Sequence, residues 1–112
     1  MNYIEIVSSD AEALVGAHEQ MHGLSFGGPD ADLGGARVAT LADGTMLGIR
    51  KPLAEHEQPI VRTYVGVSDI EQASKKATAS GAMLAYGPTR QGERGTFAIL
   101  IQGGVQLGLW QR

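Results

Sequence analysis

The chain repeats itself at a spacing of about 59 residues, which restricts it to folds built from two similar halves. Ser9-Asp10-Ala11-Glu12 recurs as Ser68-Asp69-Ile70-Glu71, 59 positions later, and Gly28-Pro29 recurs as Gly87-Pro88 at the same offset. Gly44-Thr45-Met46-Leu47-Gly48-Ile49 returns at an offset of 60 as Gly104-Val105-Gln106-Leu107-Gly108-Leu109. Both Ser-x-x-Glu runs fit the capping box that opens a helix. Each follows a short apolar run, Tyr3–Val7 or 63–67, long enough for a strand. Each precedes a helical stretch that stops at a glycine, Gly23 or Gly81. The pattern therefore predicts an α+β domain of two tandem βαβββ modules forming a curved, partly open mixed sheet around a cavity. Module one spans 1–50, a polar linker with proline near each end spans 51–59, and module two spans 60–112. Together they make a single domain, 1–112.

Hairpin turns set which side chains share a face. Asp43-Gly44 and Gly103-Gly104 each read as a two-residue turn between alternating apolar runs. A two-residue loop at Asp43-Gly44 would set Arg37 opposite Arg50 and Ala39 opposite Gly48. Val38, Thr40, Leu47 and Ile49 would then face the helix, as would Ala98, Leu100, Leu107 and Leu109 in the second half. The opposite face would carry Tyr3, Glu5, Arg37, Met46, Arg50, Arg62, Tyr64, Phe97, Gln106 and Trp110, with Ile99 and Ile101. Apolar and aromatic residues with a few polar groups among them match the lining of a ligand pocket. A filled core or a dimer interface would use the same residues.

Composition narrows the function. The 112 residues suffice for a core that buries roughly 65% of the unfolded surface. With no cysteine there is no disulfide, thiolate nucleophile or cysteine zinc site. A net charge of −3 and scattered basic residues argue against nucleic acid and anionic membranes as partners. The first ten residues lack a signal-peptide pattern and no apolar run reaches membrane length, so a cytoplasmic location is expected.

The runs Tyr3-Ile4-Glu5-Ile6-Val7-Ser8-Ser9-Asp10, Val65-Gly66-Val67-Ser68-Asp69-Ile70 and Tyr86-Gly87-Pro88 carry a family resemblance, with the closing Gly104-Val105-Gln106-Leu107-Gly108-Leu109-Trp110-Gln111. In order and spacing the chain resembles the vicinal oxygen chelate superfamily of glyoxalases, bleomycin-resistance proteins and extradiol dioxygenases. The resemblance implies a homodimer, with modules paired within or between chains, and a small-molecule ligand. It also places the family's metal ligands at Tyr3, Gly48, Arg62 and Gly108. None of these is a His, Glu or Gln, so no metal and no cofactor is expected. The implied function is metal-independent binding of a small organic molecule, anionic or aromatic. The alternative is a lyase, isomerase or dioxygenase of the same fold with an atypical or absent metal site.

Other features have competing uses. His18-Glu19-Gln20-Met21-His22 matches the zincin pattern, but no third ligand follows in a suitable place, and a structural helix end is the favoured reading. Arg37, Arg50 and Arg62 could hold a ligand anion, or their side chains could extend into solvent. Glu5 could serve as a general base if an apolar lining raised its pKa. Tyr3, Tyr64, Phe97 and Trp110 could stack on a planar ring or simply pack. The polar loop 89–95 is expected at the rim of the cavity.

Overall fold

Alternating apolar residues make Tyr3–Val7 the first strand, β1, with Tyr3, Glu5 and Val7 buried on one side of it. The computed structural model describes residues 2–112. Helix α1, Ala11–His22, buries Ala11 and Val15 and ends at Gly23, whose φ of 63° is the left-handed conformation glycine adopts at little steric cost. Strands β2, Arg37–Thr40, and β3, Met46–Arg50, complete the first half. The second half comprises β4, Ile60–Gly66; α2, Ile70–Ala79; β5, Met83–Arg90; β6, Thr96–Gln102; and β7, Val105–Gln111. Asp69, not Ser68, caps α2, its carboxylate accepting the Gln72 N–H at 3.0 Å.

One mixed sheet runs β2-β3-β1-β4-β7-β6-β5. Its centre is the antiparallel pair β1–β4, which sets Tyr3 opposite Tyr64 and Glu5 opposite Arg62. Strands β3 and β7 flank that pair in parallel, bringing Gly48 beside Glu5 and Gly108 beside Tyr64. Both helices lie on one face. The other face is concave and holds the aromatic cluster of Tyr3, Tyr64, Phe97 and Trp110, with Leu33, Ala36 and Met46. Ala11, Val15, Phe26, Ala39, Leu47 and Ile49 form a separate core under α1.

Two expectations need correction in the first half. The described residues hold seven strands, because no strand follows α1 directly. Residues 24–36 form a loop, one isolated bridge between Asp30 and Ala36, and a 3₁₀ turn, Ala31–Leu33. This stretch is rich in glycine and aspartate, which are poor strand formers. The second correction is register. The loop of the first hairpin has three residues, closed by Leu41 N–H to the Thr45 carbonyl at 2.7 Å, with Gly44 at φ 88°. Arg37 therefore pairs with Ile49, not Arg50, and Val38 pairs with Gly48. A one-residue slip exchanges the faces of β2. Val38 joins the concave side, and Arg37 turns to the helix side. The second hairpin keeps the expected two-residue loop, pairing Gln102 with Val105 and Phe97 with Trp110.

Candidate functional site

Glu5 lies at the middle of the concave face because β1 occupies the centre of the sheet. Its carboxylate is bound on both oxygens: Arg50 Nε donates to Oε2 at 2.9 Å, and Arg62 Nη1 donates to Oε1. The Tyr64 hydroxyl also donates to Oε1, at 3.2 Å. Arg50 continues outward to Glu57 through two parallel bonds of 2.9 and 2.8 Å, the fork geometry that makes such pairs strong. Arg62 Nε donates to the Gln106 side chain at 2.9 Å. Glu5, Arg50 and Arg62 are all more than nine-tenths buried. Buried charges are tolerated when paired and hydrogen-bonded in this way.

Aromatic rings surround the network. Tyr64 and Phe97 meet edge to face at 5.3 Å between centroids, and Tyr3 and Tyr64 lie 5.7 Å apart. Burial first, and Glu5 second, push the Tyr64 phenol up to about 12. The same two causes raise Tyr3 above the ordinary phenol range. Both hydroxyls are therefore neutral at physiological pH. Glu57 moves the other way. Its bond from Arg50 pulls it down to about 2, aided by the Leu53 N–H and opposed by partial burial.

These groups border a cavity of about 250 Å³, smaller than most ligand clefts. Tyr3, Glu5, Arg62, Tyr64, Phe97 and Ile99 line it from the sheet. Asp32, Leu33, Leu53, Glu57, Tyr86 and Gln91 line it from loops and from β5. Arg50 lines it too, and Arg50 and Leu53 also line a wider groove of about 400 Å³ beside the start of α1. That groove contains no aromatic ring, and its Arg37 is committed to Glu12 at 3.0 Å.

The ten residues expected at the site separate into four groups. Tyr3, Glu5, Arg50, Arg62, Tyr64 and Phe97 meet at the cavity. Met46 and Trp110 are buried in the adjoining cluster, where the Trp110 indole donates to the Arg94 carbonyl at 2.7 Å. Gln106 is exposed and acts on the site only by holding Arg62. Arg37 does not belong to it. It lies on the helix side, bonded to Glu12 and the Gly27 carbonyl, because of the register slip. Sequence reasoning missed Glu57, which comes from the linker, and Asp32 and Leu33 from the 3₁₀ turn. No periodic pattern marks such loop positions. His18 and His22 lie on α1, on the opposite face from the aromatic cluster, with His18 Nδ1 2.9 Å from the Leu14 carbonyl. The loop 89–95 contributes Gln91 to the cavity rim.

The positions to which the family resemblance assigns metal ligands do not suit a divalent ion. A Cβ on Gly48 would overlap the Tyr3 phenol, and one on Gly108 would overlap the Tyr64 ring. Arg62 brings a positive charge where a donor oxygen or nitrogen is needed. Among the described residues, no three of His, Cys, Asp or Glu gather in a way that could hold a metal.

No family model and no curated protein sequence matches the chain. Solved structures do. Hypothetical protein BH1468 from Bacillus halodurans C-125 superposes with a TM-score of 0.72 at 17% identity, over 99% of this chain and 94% of that one. Methylmalonyl-CoA epimerase from Mycobacterium tuberculosis gives 0.72 at 18%, over 97% and 85%. A Legionella pneumophila structure described as NAD-dependent benzaldehyde dehydrogenase gives 0.73 at 8%, over 99% and 98%. The chain has the vicinal oxygen chelate fold. At these identities, and with such different described activities among the neighbours, the likeness extends to fold alone.

Proposed function

We propose that this protein binds a small organic molecule in the concave cavity, without a metal ion. The observation that carries the reading is the aromatic cavity laid over a fixed Glu5–Arg50–Arg62 network. Neighbours of the same fold support a small-molecule role. Streptomyces coelicolor methylmalonyl-CoA epimerase is described in complex with 2-nitronate-propionyl-CoA, and another epimerase structure with methylmalonyl-CoA. Tyr3, Glu5, Arg50, Arg62, Tyr64 and Phe97 form the ligand wall in this reading. Glu5 orders the two arginines and is not free to act as a base. The two halves are read as copies of one βαβββ unit, the first with a loop in place of the strand after its helix, within a single domain that works as a cytoplasmic homodimer.

Metal analysis of protein purified without chelator, followed by a thermal-shift screen of small aromatic compounds with and without EDTA, tests the proposal. Stabilisation that EDTA leaves unchanged is expected. Stoichiometric Zn, Ni, Mn, Co or Fe, with ligand binding lost on chelation, would overturn metal independence and favour an enzyme such as a lyase, isomerase or dioxygenase.

A further inference from the structure

We infer that this cavity, taken as the ligand site proposed above, turns away anions and receives an uncharged flat molecule. Two buried arginines in a ligand cavity would ordinarily point to a carboxylate guest. Here the protein supplies the carboxylates itself. Glu5 occupies Arg50 Nε and Arg62 Nη1, and Glu57 takes both terminal nitrogens of Arg50. Gln106 takes Arg62 Nε. Only Arg62 Nη2 is left without a partner among the described residues, so a guest carboxylate would have to displace Glu5 from a position with three donors, or take that single nitrogen and lie beside Glu5 as a second negative charge.

The remaining wall adds to the repulsion. Three carboxylates, Glu5, Asp32 and Glu57, line the cavity against two guanidinium groups, Arg50 and Arg62. Asp32 has no ion-pair partner among the described residues; its carboxylate accepts only the Glu93 N–H, at 3.4 Å. Arg94 nearby is paired with Asp30, and Arg90 directs Nε to the Gly92 carbonyl at 2.7 Å. The phenols respond to this environment: burial first and Glu5 second oppose forming a phenolate at Tyr3 or Tyr64, and together they outweigh the opposite pull of Arg50 on Tyr3 and of Arg62 on Tyr64. What the cavity does offer is ring surface from Tyr3, Tyr64, Phe97 and Tyr86, with Ile99 and Leu33 between. That surface suits a planar apolar body.

Isothermal titration of the wild-type protein with two probes of one shape, naphthalene-2-carboxamide and naphthalene-2-carboxylate, tests the inference at neutral pH. The amide is expected to bind about tenfold tighter or more, since a like charge nearby costs at least that much in a partly buried site. Binding of the carboxylate within about threefold of the amide, or more tightly, overturns the inference and leaves the cavity reading standing. Binding of neither probe overturns the cavity reading, and this inference with it.

Discussion

The Tyr3 phenol occupies the space that a side chain on Gly48 would fill, and on the neighbouring strand pair the Tyr64 ring does the same over Gly108. Two glycines thus give their volume to two tyrosines, and the centre of the concave face becomes aromatic.

The two phenols differ in a way that stability measurements can read. The Tyr3 hydroxyl is buried with no hydrogen-bond partner among the described residues, whereas the Tyr64 hydroxyl donates to Glu5 and accepts from Arg62. Removing an unsatisfied buried group relieves a desolvation cost. Tyr3→Phe is expected to raise unfolding free energy by about 1 kcal/mol, and Tyr64→Phe to lower it by about 1–2 kcal/mol, in urea titrations. A loss for Tyr3→Phe equal to that for Tyr64→Phe would contradict the arrangement.

Removing Glu5 strands two buried guanidinium groups. Glu5→Leu is expected to cost about 3–5 kcal/mol, the usual penalty for breaking a buried pair from one side. Glu12→Gln releases Arg37 at the surface, where 67% of the Glu12 side chain is exposed, and is expected to cost under about 1 kcal/mol. Arg37→Ala is likewise expected to leave ligand binding unchanged, because Arg37 is on the other side of the sheet from the cavity. Chemical denaturation and titration with a bound probe check all three variants.

Acid should act through Glu57. Its pKa falls from 4.5 in the unfolded chain to about 2 in the fold, so the folded state releases this proton more readily. The stability it adds is present above about pH 4.5 and disappears as pH falls toward 2. Urea unfolding across that window should show a steeper decline for wild type than for Glu57→Gln. Parallel pH profiles for the two proteins would refute the assignment.

The corner between the two 3₁₀ turns, Ala31–Leu33 and Gly92–Arg94, is held by the Asp30–Arg94 pair, whose carbonyl end also fixes Trp110. Both side chains are partly exposed, so Asp30→Asn is expected to cost only about 0.5–1 kcal/mol globally. Locally, the Trp110 indole N–H should exchange faster with solvent, as followed by NMR. Unchanged exchange would mean that the ion pair does not govern this corner.

The second half was legible in the sequence because Gly103-Gly104 allows the two-residue loop that fixes the β6–β7 register, and the face assignments on those two strands follow from it. The first half misled for a local reason. Asp43-Gly44 fits a two-residue turn and equally the last two residues of a three-residue loop, and one residue decides where Arg37 points. Tyr3, Glu5, Arg62, Tyr64 and Phe97 were legible as a face because strand alternation is strict. Glu57 and Asp32 were not, since loop residues reach a site through a path that periodicity does not encode.

The loop that replaces a strand in the first half has a mechanical consequence. It carries the turn at Asp30–Leu33 across the concavity to meet Gly92–Arg94, so the halves are fastened along β1–β4 and again at their far side. This second fastening adds resistance to hinging about β1–β4, in the modest measure that a partly exposed ion pair supplies. On the proposed reading, a ligand would pass the side chains of Leu53, Tyr86 and Gln91, which line the cavity from outside the central strands.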